Sequence, residues 1–91
     1  MDKISKTIEI KNKLGLHARA AALLVQTVNR FSADVRISKD GQTVDGKSIM
    51  GLLTLAAAQG SKIVVEAEGM EAPEALRAIE NLLEKKFHEA G

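Results

Sequence analysis

The sequence has no cysteine, tryptophan or tyrosine, a single proline, and only two aromatic side chains, Phe31 and Phe87. The absence of cysteine rules out disulfides and thiol chemistry and fits a reducing compartment. The shortage of aromatics argues against a base-stacking platform for single-stranded nucleic acid. Neither sign of charge is in excess: 13 Lys and Arg stand against 12 Asp and Glu, a net of +1. No basic surplus is left to draw a polyanion, so nucleic acid is not expected as a partner. No stretch approaches the ~20 apolar residues of a membrane span. The start, Met1-Asp2-Lys3-Ile4-Ser5-Lys6, lacks the apolar run of a signal peptide. The expectation is a cytoplasmic protein that inserts in no membrane. Only two histidines are present, His17 and His88, too far apart to form a metal cluster by spacing, and no metal or cofactor is expected.

What is present is organised around Gly15-Leu16-His17-Ala18-Arg19. Ahead of it Ile8 and Ile10 alternate with Thr7, Glu9 and Lys11, a strand pattern; after it Ala21, Leu24, Val25 and Val28 recur at helical spacing. His17 therefore falls at or beside a helix N-cap, where the first amide N–H groups lack intrahelical partners. That end carries about half a positive charge from the helix dipole, so it holds an anion readily. Histidine is a poor cap compared with Ser, Thr, Asp or Asn, which makes its choice here informative. An imidazole at such a place can take a phosphoryl group on a ring nitrogen, with the amides of Ala18 and Ala20 and the Arg19 guanidinium binding its oxygens. Small Ala18, Ala20 and Ala21 are expected to leave the helix end open.

The chain, 91 residues long, is expected to form a single domain over residues 1–91 with a two-layer architecture. The patterns predict a strand over about Ser5–Lys11, a turn at Asn12–Gly15 and a helix from Ala18 to about Phe31. A second strand follows, with Val35 and Ile37 inward, and Asp40-Gly41 is a hairpin signal. A short polar edge strand spans Gln42–Asp45. Ser48 is placed to cap a second helix that Gly60 would stop near Ala58 or Gln59. Lys62–Glu68 reads as a strand. Pro73 opens a last helix whose inward face would be Leu76, Ile79, Leu83 and Phe87. His88 falls in the charged stretch Phe87-His88-Glu89 and is expected to be solvated. The order β-α-β-β-α-β-α indicates an α+β open-faced sandwich.

The second helix carries more apolar surface than one buried face needs. Leu55, Leu52, Ala56 and Ile49 form one stripe, and Met50 and Leu53 carry it well round the helix. One reading is a wide core stripe. The other is an exposed patch of Ile49, Met50 and Leu53 that docks a partner, Met being an adaptable side chain for that purpose. The Ser48 hydroxyl beside it serves as a cap and is also placed to be a phosphorylation switch.

The two stretches Gly15-Leu16-His17-Ala18-Arg19 and Lys47-Ser48-Ile49-Met50-Gly51-Leu52, with their spacing and flanking strands, resemble the active-site and regulatory motifs of the HPr family. Its members are the histidine-containing phosphocarriers of the bacterial phosphoenolpyruvate-dependent phosphotransferase system. The resemblance covers nearly the whole chain. It implies a four-stranded antiparallel sheet with three helices on one side. It implies that His17 takes a phosphoryl group on Nδ1 from enzyme I and passes it to downstream acceptor proteins, with Arg19 and the opening amides contacting it. The protein would then be a stoichiometric carrier and not an enzyme, working as a monomer. The resemblance further implies a kinase or phosphorylase acting on Ser48. Leu16, Ile49, Met50 and Leu53 are the expected docking residues. Ala20 departs from the family pattern, which has Pro there; alanine retains the N–H that proline lacks. That departure leaves open whether the chain belongs with sugar transport or with the nitrogen-related regulatory branch. A regulatory module controlled at Ser48 is the alternative function; His17 argues against a homologue that carries no phosphate.

Overall fold

The structure, a computed structural model, describes residues 3–89. Met1, Asp2, Ala90 and Gly91, which the single-domain expectation included, lie outside the described residues. The elements are β1 (Lys3–Glu9), α1 (Ala18–Val28), β2 (Asp34–Lys39), β3 (Gln42–Asp45), α2 (Ile49–Thr54), β4 (Lys62–Glu68) and α3 (Ala72–Glu84). The four strands form one sheet in the order β1-β4-β2-β3, and every neighbouring pair is antiparallel.

This order explains why the helices share a side. β1 and β2 run parallel on either side of β4, joined through α1. β3 and β4 run parallel on either side of β2, joined through α2. Parallel strands in one sheet are connected by right-handed crossovers almost without exception. The two crossovers run in opposite directions across the sheet and start from strands of opposite direction, so the same hand puts both helices on one face. The strands alternate accordingly. Ile8, Val35, Ile37, Ile63, Val65 and Ala67 are buried under the helices, while Thr7, Arg36, Lys62 and Val64 face out. The hairpin between β2 and β3 turns at Asp40 and Gly41, with φ of 50° and 83°, the positive values its two central positions require.

Three elements differ in their bounds from the sequence patterns. β1 begins earlier and ends at Glu9, yet Ile10 still exchanges backbone bonds with Ser61 and Gly60, at 2.8 Å each, and is fully buried. α1 stops at Val28, and of its expected stripe Ala21, Leu24 and Val28 are buried while Val25 is only half-buried. α2 stops at Thr54 and does not reach Ala58 or Gln59. Leu55 closes the helix, and Ala56 turns left-handed at φ 49°, a conformation usually left to glycine. The reason is tertiary. Leu55 and Ala57 are buried in the core, and the Ala57 carbonyl accepts from the Leu16 N–H at 2.8 Å, a bond that a continued helix could not supply.

α3 also ends before its apolar pattern does. Ala75, Ile79, Leu82 and Leu83 are buried, whereas Leu76 is half-buried. Phe87 does reach the core, where it is fully buried, but by another route. Lys86, Phe87 and His88 take φ of 55°, 55° and 61°, three left-handed residues in succession with no glycine among them. His88 is exposed, as the sequence reading expects.

Candidate functional site

His17 stands at the N-cap of α1 with an extended backbone, φ −81° and ψ −179°. Its carbonyl accepts from Ala21 N–H at 2.8 Å, which starts the helix, and its own N–H donates to the Gly15 carbonyl at 3.0 Å. The ring makes no capping bond, and the first turn of α1 contains no acidic residue. Among the described residues no acceptor takes the N–H groups of Ala18, Arg19 or Ala20. The positive end of an 11-residue helix is thus left for an external anion.

Gly15 sets the approach to this point. Its φ is +68°, and a Cβ added there would lie 2.5 Å from the Ala57 carbonyl oxygen. The loop that delivers His17 is therefore wedged against the segment leaving α2. Only glycine fits both the space and the backbone angle.

Two sequence-assigned roles change. Leu16, expected to dock a partner, is 5% exposed and belongs to the core, because the left-handed Gly15 and the Leu16–Ala57 bond turn its side chain inward. Leu14, two residues earlier, is 68% exposed and is the apolar side chain this loop presents to solvent. Ala20, expected to offer an open amide, is fully buried at the start of the apolar stripe of α1, as is Ala21. Ala18 and Arg19 are exposed and remain as the accessible amides. On α2, Met50 and Ile49 are exposed, at 73% and 40%, and Leu53 is half-buried against the core. Ser48 caps α2 as expected, its Oγ accepting from Gly51 N–H at 2.9 Å.

One participant was absent from the sequence reading. The Glu89 carboxylate reaches His17 from 72 positions away, its Oε2 pairing with the ring Nε2. The other carboxylate oxygen accepts from Asn12 Nδ2 at 3.1 Å, and the same amide nitrogen donates to the Gly15 carbonyl at 2.7 Å. Two acceptors on one side fix the amide's orientation. Asn12 is fully buried, and its Oδ1 is without a partner among the described residues. The Glu89 side chain is 9% exposed and the His17 ring 28%. Burial pushes the Glu89 carboxyl up, but the hydrogen bonds from His17 and Asn12, with the charges of His17 and Arg19, outweigh it and hold the group below its ordinary range. In sequence, Glu89 reads as a solvated member of a charged stretch. Nothing in the sequence marks this pairing, because the burial of Asn12 is itself a product of the fold.

A lowered carboxyl makes a prediction with a definite sign. Its contribution to stability is complete above the ordinary value of 4.5 and is lost as pH falls below that, through the lower folded value. The melting temperature of the parent should therefore exceed that of Glu89→Gln near neutrality, the two converging as pH falls below 4.5 and through the lower folded value. Curves that stay parallel through that window would show Glu89 to be energetically idle.

The groove of about 320 Å³ between α1 and α3 is lined by Leu23, Gln26, Thr27, Arg30, Asn81 and His88, not by His17. An open four-stranded sandwich with a histidine on an uncapped, anion-attracting helix start defines a small carrier of the phosphohistidine class. The family model "PTS HPr component phosphorylation site" matches residues 4–85, and the chain belongs to the HPr family of phosphotransferase-system phosphocarriers. It is 46% identical over 86 residues to the phosphocarrier protein HPr of Neisseria meningitidis serogroup A, covering 94% of this chain and 97% of that one. It is 47% identical over 83 residues to the HPr-like protein Crh of Halalkalibacterium halodurans, covering 91% and 99%. The crystal structure of HPr-C-His from Thermoanaerobacter tengcongensis superposes with a TM-score of 0.91 at 47% identity over all of both chains. Among the described residues no helix is long and apolar enough to cross a membrane.

Proposed function

We propose that the phosphoryl group is carried on Nδ1 of His17, arriving from a phosphorylated histidine of enzyme I and leaving to downstream acceptor proteins. One observation carries this reading: Nε2 is engaged by Glu89, while Nδ1 has no partner among the described residues and belongs to the residue that opens α1. The Nδ1 lone pair attacks phosphorus, the donor's P–N bond breaks, and the bonding pair returns to the donor nitrogen. The N–H groups of Ala18 and Arg19 and the Arg19 guanidinium meet the phosphate oxygens. The protein turns over no substrate of its own and acts stoichiometrically in the cytoplasm. Residues 1–91 act as one domain, and the carrier works as a single copy. Incubation with phosphoenolpyruvate and enzyme I tests it: label mapped to His17, labile to acid and stable to base, is the expected result. A label elsewhere would refute the assignment.

Arg19 is exposed and makes no hydrogen bond or ion pair among the described residues, so its place is with the incoming phosphate and not with the fold. Arg19→Ala should slow transfer while changing stability by less than about 1 kcal/mol. A large loss of stability with transfer intact would reverse that assignment.

We assign docking to Leu14, Ile49 and Met50, with half-buried Leu53 supporting them from behind. Ser48 stands at the edge of this surface. A phosphate on it suits the start of its own helix but brings about −1.5 to −2 charge to an interface that must shed water. Ser48→Asp and Met50→Glu should each weaken enzyme I binding by about tenfold, ~1.4 kcal/mol, with melting temperatures near the parent's. Calorimetry alongside thermal melts decides this. Unchanged affinity in both variants would return α2 to a purely structural part and remove the case for a kinase or phosphorylase at Ser48.

A further inference from the structure

Glu89 is held too firmly for an incidental surface pair. Its carboxylate is nine-tenths buried, and one oxygen is fixed by Asn12, which is itself fully buried and tied to the Gly15 carbonyl. The backbone that delivers it runs through three consecutive left-handed residues, Lys86 to His88, anchored by a fully buried Phe87. L-residues adopt such a run only when the surroundings compel it. The destination of all this is a single atom, Nε2 of His17.

Taking His17 as the phosphoryl acceptor, as proposed above, we propose that Glu89 is the positioning residue of the transfer: its carboxylate holds the ring in the Nε2–H tautomer, leaving the Nδ1 lone pair free to attack, and balances the charge the ring acquires on phosphorylation. A neutral imidazole carries its proton on one nitrogen only, and the hydrogen bond made by that nitrogen selects which. A carboxylate accepts and cannot donate, so the nitrogen facing Glu89 bears the proton. As Nδ1 bonds to phosphorus, the ring keeps its Nε2 proton and becomes cationic beside Glu89. The donor's nitrogen takes back the electron pair of the broken P–N bond. In the onward step the P–Nδ1 pair returns to Nδ1 and the ring is neutral again, still protonated at Nε2. No proton has to be delivered or removed on this side of either transfer. A carboxylate does the same work for the imidazole of hydrolytic triads, orienting it and steadying the imidazolium without becoming protonated. The depressed carboxyl of Glu89 agrees with a group that stays ionised throughout.

The test compares parent, Glu89→Gln and Glu89→Ala, the first of these variants keeping size while losing charge. ¹⁵N-histidine NMR of the unphosphorylated proteins reads the tautomer: the parent should show His17 protonated at Nε2, and both variants a rising Nδ1–H fraction. Single-turnover transfer from phosphorylated enzyme I should slow by about 10- to 100-fold, as when a metal-bound histidine loses its carboxylate partner, with affinity for enzyme I unchanged. An unchanged tautomer overturns the proposal, and so does an altered tautomer with an unchanged rate. Failure of the His17 assignment would look different, as a parent that takes no label at His17. The tautomer measurement does not depend on labelling.

Discussion

His17→Ala should take up no acid-labile label from phosphoenolpyruvate and enzyme I while remaining folded. With the imidazole gone, the anion-attracting start of α1 persists but offers no nucleophile to attack the phosphorus of phosphorylated enzyme I. The variant should not be silent in stability. It strips the donor from Glu89 Oε2, whose side chain is 9% exposed, and leaves Asn12 as the only hydrogen-bond donor to that carboxylate among the described residues. Orphaning a mostly buried charged acceptor costs about 1–3 kcal/mol. Adding Glu89→Gln to His17→Ala lowers that cost by replacing a carboxylate with a neutral amide, so the double variant should melt above the single one. Labelling retained in His17→Ala would defeat the assignment of the acceptor.

The largest loss of stability is expected from Phe87→Ala. Phe87 is fully buried, and truncating such a side chain costs about 3–5 kcal/mol from lost transfer energy and the cavity left behind. In a domain of this size that should lower the melting temperature by more than about 10 °C. A second effect distinguishes this site from an ordinary core position. Buried Phe87 is the apolar anchor of the left-handed turn Lys86–His88, which costs about 1–2 kcal/mol of strain per residue and which the backbone bonds from His88 N–H to Lys85 and from Glu89 N–H to Lys86 also close. Freed of its anchor, the turn should relax and carry Glu89 away from His17. Phosphotransfer should then fall even in protein that is still folded at low temperature. Phe87→Leu keeps an apolar anchor and should lose less of both. A variant that melts with the parent would show that the turn is held by something other than its aromatic ring.

Much of this fold could be read locally. The alternation in Val35–Ile37 and Ile63–Ala67, the Asp40-Gly41 turn and the Ser48 cap each depend on neighbours a few residues away, and all are found in place. The positions misread depend on distant contacts. Leu16 and Leu14 look interchangeable in sequence; the backbone angle of Gly15 and the Ala57 carbonyl decide which one faces inward. Ala56 has no special claim to a left-handed conformation, yet burial of Leu55 and Ala57 on either side imposes one. The small size of Ala20 suits an open helix end, but the apolar stripe of α1 begins with it. Helical spacing puts Phe87 in the core, where it lies, although the helix ends before it. Glu89 could not be read at all, since its partner lies 72 positions away.

That separation orders events in time. A contact between groups so far apart closes a long loop, and the entropy of closing it must be met before the contact returns anything. His17 therefore gains its companion only when α3 has docked and the turn at Lys86–His88 has locked behind it. Short-range structure around Gly15 and the start of α1 can form earlier, but with the ring's proton unassigned between its two nitrogens. If Glu89 positions the ring as proposed, competence to exchange phosphate arrives together with the final packing of the chain, and a half-folded molecule makes a poor thief of phosphate from its donor.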